Sequence, residues 1–145
     1  ANGTSASVGT LTTGALTLTG ANTFHADASG TLTSNWDKLI VNGAVDLGST
    51  SAFQLSIASG LNFTAETTYT LIDATTLLGT FATYADNTAY NFDGYDFTVL
   101  YDTANGDFNL KAVPEPSTWA AGALALAAVA FTQRRRIRTL AQSAA

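Results

Sequence analysis

Residues 95–112, YDFTVLYDTANGDFNLKA, read as a β-hairpin and set the fold class. Tyr95, Phe97, Val99 and Tyr101 alternate with Asp96, Thr98 and Leu100, and further on Phe108, Leu110 and Ala112 alternate with Asn109 and Lys111. A period of two places one set of side chains on one face of an extended strand. Asp102 to Gly106 turn the chain, with Asn105-Gly106 supplying residues that tolerate positive φ. The hairpin is expected to close off a core, with upstream aromatics such as Tyr90 and Phe92 as its partners.

The same period recurs upstream. Leu16 and Leu18 alternate with threonines in GALTLTG, Leu39 and Val41 flank Ile40 in DKLIVNG, and Val45 and Leu47 flank Asp46 in GAVDLG. Phe53, Leu55 and Ile57 alternate with Gln54 and Ser56. No stretch before Pro114 carries a 3.6-residue stripe, and residues 58–68 read as a loop. Short strands broken by turn residues fit a sandwich, a barrel or a solenoid. Gly-bounded strands (GTLTTG, GALTLTG, GTLTS, NGAVDLG) and abundant Thr, Ser and Asn favour the solenoid, in which such side chains form ladders. The expected fold is therefore all-β: the C-terminal part of a β-solenoid with a terminal hairpin, with a β-sandwich as the alternative.

Charge is divided along the chain. The 145 residues carry a net charge of −5, but before Pro114 only Lys38 and Lys111 are cationic. An acidic body disfavours nucleic acid, whose binding runs on phosphate neutralisation. The chain has no cysteine, which excludes disulfides, thiolate metal sites and cysteine catalysis.

Beyond the hairpin the composition changes. Val113, Pro114, Glu115 and Pro116 break the strand, because proline lacks a ladder donor and restricts its neighbour. Trp119 to Phe131 is an uncharged apolar run, and Arg134, Arg135, Arg136 and Arg138 close it. At about 1.5 Å per residue the run is roughly 20 Å long, against a hydrocarbon core near 30 Å. Flanking Ser, Thr and Gln residues and snorkelling arginines lengthen it. The expected span is 119–133, with Trp119 at the outer interface and Leu124, Leu126, Val129 and Phe131 in the apolar region. The arginines keep residues 134–145 cytoplasmic by the positive-inside rule, which places the body outside. The expected division is a body over 1–112, a linker over 113–118, the span and the basic tail.

Pro114-Glu115-Pro116, an apolar helix and an arginine cluster, in that order, resemble the PEP-CTERM sorting signal of Gram-negative bacteria. The resemblance implies a partner, exosortase, a membrane protease or transpeptidase that removes the helix, much as a GPI signal loses its apolar tail. It also implies transient anchoring in the inner membrane with the body on the periplasmic side, then delivery to the cell surface or extracellular matrix. Within the body, GALTLTGANTF, WDKLIVNGAVDLG, YTLIDA and YDFTVLYD resemble autotransporter-associated β-strand repeats and the block that follows them. A body held outside needs an export signal, and the sequence from Ala1 shows no positively charged, apolar leader, so the chain is expected to be a C-terminal fragment or a truncated gene model.

Candidate chemistry is sparse. His25 is the only histidine, no GxSxG elbow accompanies it, and Asp27 alone does not make a catalytic set. Asp93, Asp96, Asp102, Asn105 and Asp107 offer oxygen ligands of the kind calcium takes, but without EF-hand spacing, and turn chemistry accounts for them. Glu66 is the body's one glutamate, and no carboxylate pair is marked for glycoside cleavage. Tyr69, Tyr84, Tyr90 and Tyr95 would stack on sugars if exposed, or pack inside. No catalytic residue, metal ligand or cofactor is expected. The reading is a non-enzymatic, exported structural protein of the surface or biofilm matrix. Its alternatives are an adhesin or module binding extracellular polysaccharide, and a fragment of a β-helix polysaccharide-active enzyme.

Overall fold

The computed structural model describes residues 8–18, 20–114 and Leu124. The chain divides into two compact units, Ala1–Val113 and Pro114–Ala145. Only Pro114 and Leu124 of the second are described, and Leu124 has helical backbone.

The first unit, over its described residues, is all-β apart from one 3₁₀ turn at Thr33–Asn35. Its strands are β1 (Thr10–Thr13), β2 (Leu16–Thr17), β3 (Thr23–Ala28), β4 (Lys38–Asp46), β5 (Ala52–Ile57), β6 (Thr68–Leu78), β7 (Thr88–Phe92), β8 (Tyr95–Asp102) and β9 (Asp107–Ala112). β1 and β2 both pair in parallel with β4, and β4 pairs in parallel with β6. The same sheet then continues antiparallel through β9, β8 and β7, and it stays open rather than closing into a barrel. β3 and β5 form a second, parallel sheet.

The registers carry a regular spacing. Thr10 lies beside Lys38 and Thr23 beside Ala52, so the two sheets advance by nearly the same length of chain from one strand to the next. The following step, from Leu39 to Ile72, takes a longer length of chain because the 58–67 loop intervenes. Alternation and parallel pairing together build columns of like side chains: Leu11–Leu39–Ile72, Thr13–Val41–Ala74 and Leu16–Val45–Leu77 in one sheet. Phe24–Phe53, Ala26–Leu55 and Ala28–Ile57 are their counterparts in the other. The two inner faces share one core, in which Phe53 meets Phe108 edge-on with ring centroids 5.0 Å apart.

Two expectations need correction. DKLIVNG and GAVDLG are not separate strands but the single strand β4, whose register shifts between Val41 and Ala44. The extra residue brings Val45 beside Leu77, and Leu39, Val41, Val45 and Leu47 are all buried. GTLTS, read as a strand, bends into the 3₁₀ turn. The indole N–H of Trp36 donates to the Gly30 carbonyl at 2.9 Å, and the Tyr69 hydroxyl donates to the Thr31 carbonyl at 2.8 Å. These bonds take up carbonyls that a ladder would otherwise need. The terminal hairpin is present as expected, and it forms two-thirds of a three-stranded meander. Tyr90 and Phe92 lie on β7 opposite Phe97 and Tyr95, and β9 sits in the middle, between β6 and β8.

The 58–68 segment is a loop up to Thr68, where β6 begins. Among the described residues no helix is long and apolar enough to cross a membrane. The expected span of 119–133 lies outside the described residues except for Leu124, as do Glu115, Pro116 and the four arginines.

Candidate functional site

The parallel ladder of β3 and β5 brings together residues that the linear sequence separates. Asp27 is in register with Ser56, and the Ser56 hydroxyl lies 3.0 Å from His25 Nε2. Asp27 Oδ1 lies 4.0 Å from the same nitrogen. A catalytic serine and its orienting acid must engage opposite nitrogens of the ring. Here both face Nε2, on a half-exposed outer face, so the trio lacks the relay that nucleophilic catalysis needs. Ser56 escaped the sequence reading because its partners lie on a strand far upstream. The constant offset of this ladder, from Thr23–Ala52 through Ala28–Ile57, is the signal that locates it.

The aspartates mostly hold backbone. Asp37 accepts from the Gly9 N–H at 2.6 Å and the Asp27 N–H at 3.0 Å, which ties the start of β1 to the end of β3. Asp46 accepts from Gly48, Asp86 from Tyr101 and Asp93 from Ile57. Asp102 accepts from the Asn105 amide and from the N–H groups of Asn105 and Ala104, and these bonds hold its carboxyl below its usual range. The calcium-like residues 102–107 are thus a self-bonded turn. Among the described residues no three His, Cys, Asp or Glu side chains are grouped to hold a metal. Lys38 pairs with Asp73 at 2.7 Å and Lys111 with Glu66.

Asp107 lies among like charges. It faces Asp73 on one side and Asp102 on the other. Burial, then these two carboxylates, raise its pKa, and Lys38 offsets part of the effect. A carboxyl whose pKa is higher folded than unfolded favours the folded state at low pH. That advantage is lost as pH rises through the carboxylate range. Asp107→Asn is therefore expected to raise stability at pH 7 by about 0.5 kcal/mol. The gain should vanish near pH 3, as urea unfolding at the two pH values would reveal. A gain that persisted at low pH would assign the effect to packing.

The tyrosines are occupied by the fold. Tyr69 is buried and stacks on Trp36 with centroids 4.2 Å apart. The Tyr95 hydroxyl accepts from the Leu61 N–H, and the Tyr90 hydroxyl accepts from the Ala85 N–H. The Tyr101 hydroxyl accepts from the Phe81 N–H and donates to the Tyr84 carbonyl, and burial pushes its pKa up to about 12. Tyr84 is half-buried and packs edge-on against Phe53 and Tyr90. The hydroxyls of Tyr90, Tyr95 and Tyr101 thus anchor loops.

The remaining candidate is the exit of the chain. Ala112 is buried, and its N–H donates to the Thr67 carbonyl at 2.8 Å. The Val113 N–H donates to the Asp96 carbonyl at 3.0 Å. Pro114 has no N–H, so the ladder ends there. The polypeptide therefore leaves the middle of a sheet, between two paired strands, with no slack before the proline motif.

Residues 112–136 match the PEP-CTERM protein-sorting motif. The motif implies export, membrane-anchored sorting and exosortase as the processing partner. The match begins inside β9, at Ala112, and covers the proline motif, the apolar run and the first three arginines. The resemblance of the body to autotransporter-associated repeats has no support in this match, which lies at the other end of the chain. No curated protein and no solved structure matches the chain.

Proposed function

We propose that this is a non-enzymatic structural protein of the cell surface or extracellular matrix, delivered by its C-terminal sorting signal. The observation that carries the reading is the sorting-motif match at residues 112–136, placed directly after a buried, doubly paired strand. In this reading Trp119 to Phe131 crosses the inner membrane and the arginines hold the cytoplasmic side. The β body stands on the periplasmic side until exosortase removes the tail. The alanine-rich run inserts only weakly, which suits a segment destined for removal.

The body is the C-terminal end of a β-solenoid. Support comes from the parallel, in-register stacking of two strand sets, Thr10 on Lys38 and Thr23 on Ala52, at nearly equal offsets along the chain. The β7–β9 meander closes that stack, as a solenoid's terminal unit must. Aspartates committed to backbone N–H groups, tyrosines committed to loops and a mis-oriented Ser56–His25–Asp27 trio favour a structural body over a catalytic or sugar-binding one.

The chain, exported behind a leader peptide in a host with exosortase, is expected to yield a mature form lacking residues 119–145. In an isogenic strain without the protease the tail should be retained. Mass spectrometry of the surface fraction reads both outcomes. A mature protein that still carries residues 119–145 when exosortase is present would make the tail a plain anchor.

A further inference from the structure

The sorting motif begins inside the β body. The match starts at Ala112, the last residue of β9, and the body's compact unit runs on to Val113. Successive residues of a strand aim their polar groups at opposite neighbours. Each of these two residues finds a partner in its own direction. The Ala112 N–H donates to the Thr67 carbonyl at 2.8 Å, and the Ala112 carbonyl accepts from the Glu66 N–H at 2.9 Å. The Val113 N–H turns the other way, to the Asp96 carbonyl on β8 at 3.0 Å. The Ala112 side chain is buried. The start of the motif is therefore clamped from both sides.

The clamp includes a strained residue. Glu66 has a φ of 68°, in the left-handed region that a residue with a Cβ seldom takes. Such strain persists only where the surroundings over-determine it. Here they do: the Glu66 N–H bonds Ala112, its carboxylate pairs with Lys111, and the Thr67 N–H closes the turn on the Thr64 carbonyl. The strained turn and the end of β9 are fixed together.

A peptide that is read in extended form offers its main-chain N–H and C=O groups and its alternate side chains. Ala112 has committed both main-chain groups and its side chain to the body, and Val113 its N–H. We propose that the folded body is a brake on removal of the tail: exosortase engages the whole motif only after Ala112 and Val113 have peeled away from Glu66, Thr67 and Asp96. Release of a strand end is a local opening far short of unfolding, so the brake slows processing without preventing it. The rate follows the fraction of molecules in which that end is open. The brake rests on exosortase as the processing enzyme and is independent of the solenoid reading.

Inserting Gly-Ser-Gly-Ser-Ala-Val between Val113 and Pro114 of the full chain tests it. The insert leaves the clamp in place and restores Ala-Val ahead of the prolines on unpaired chain. Exported in a host with exosortase and followed by pulse-chase, the extended chain is expected to lose its tail at least about fivefold faster than the parent. Glu66→Pro removes the N–H that bonds Ala112 and forbids the positive φ. It should speed processing of the parent and leave the extended chain unchanged. Amide exchange of the parent in detergent micelles should show Ala112 and Val113 protected along with Leu110. An equal or lower rate in the extended chain, or a Glu66→Pro effect of the same size in both, would overturn the brake and leave exosortase processing standing. Rapid exchange at Ala112 and Val113 beside a protected Leu110 would overturn the clamp itself. Retention of the tail by both chains would overturn the sorting reading, and the brake with it.

Discussion

Trp36→Ala is expected to lower the stability of the β body by about 3–5 kcal/mol, the range for truncating a buried aromatic. Trp36 is 3% exposed and lies at the meeting point of three segments. It stacks on Tyr69 of β6, and the rings of Phe63 and Phe97 meet it edge-on at 5.8 and 5.6 Å. Phe63 belongs to the 58–67 loop and Phe97 to β8, so the indole links an early turn, a loop and the closing meander. Its N–H also holds the Gly30 carbonyl. Trp36→Phe keeps much of the aromatic packing and loses that bond, so its cost should be nearer about 1 kcal/mol. Urea unfolding followed by far-ultraviolet circular dichroism separates the two without relying on tryptophan fluorescence. Equal losses for both variants would mean that the hydrogen bond, rather than the aromatic packing, dominates this site.

The second large effect is expected at Gly106, which ends the turn between β8 and β9. Its φ is 83°, a conformation that costs a residue with a Cβ roughly 1–2 kcal/mol. A Cβ there would also collide with the Ala74 carbonyl oxygen on β6. The approach is close because the turn docks on β6, where the Gly106 carbonyl accepts from the Ala74 N–H at 3.2 Å. Gly106→Ala must therefore strain the backbone and displace the turn, for a total loss above about 2 kcal/mol. Gly94 is the control: its φ is 92°, and nothing lies within 4 Å of its Cβ position. Gly94→Ala should cost about 1 kcal/mol from the backbone alone. If the two substitutions cost the same, the contact with Ala74 contributes nothing.

Both sites depend on which strands lie side by side, and that information is only partly local. The alternation of Tyr95–Tyr101 and Phe108–Ala112 is enough to identify two strands. The Asn-Gly in their connection is enough to identify a turn, although only Gly106 takes the positive φ. That β9 also pairs with β6 has no local marker, because Thr68–Asp73 lies far upstream, beyond both β7 and β8. GTLTS shows the opposite failure. Its threonines and leucine favour a strand, but hydrogen bonds from Trp36 and Tyr69 bend it. Among the candidate residues, His25 was visible as the sole histidine, whereas its partner Ser56 is brought near only by the parallel register. The aspartates were legible as turn formers. Their particular N–H donors, such as Ile57 for Asp93, were not.

The sequence by itself determined the strand content and the character of the tail. Both are written in short-range features: a two-residue period, Gly and Asn at turns, and prolines, an apolar run and arginines in fixed order. The tertiary structure alone decided the parallel stacking of successive segments, the central place of β9, and the conversion of tyrosines and aspartates into loop anchors. Those outcomes depend on the burial of inner faces and on satisfying backbone donors across long gaps in the chain. A local pattern cannot encode which distant strand supplies the partner.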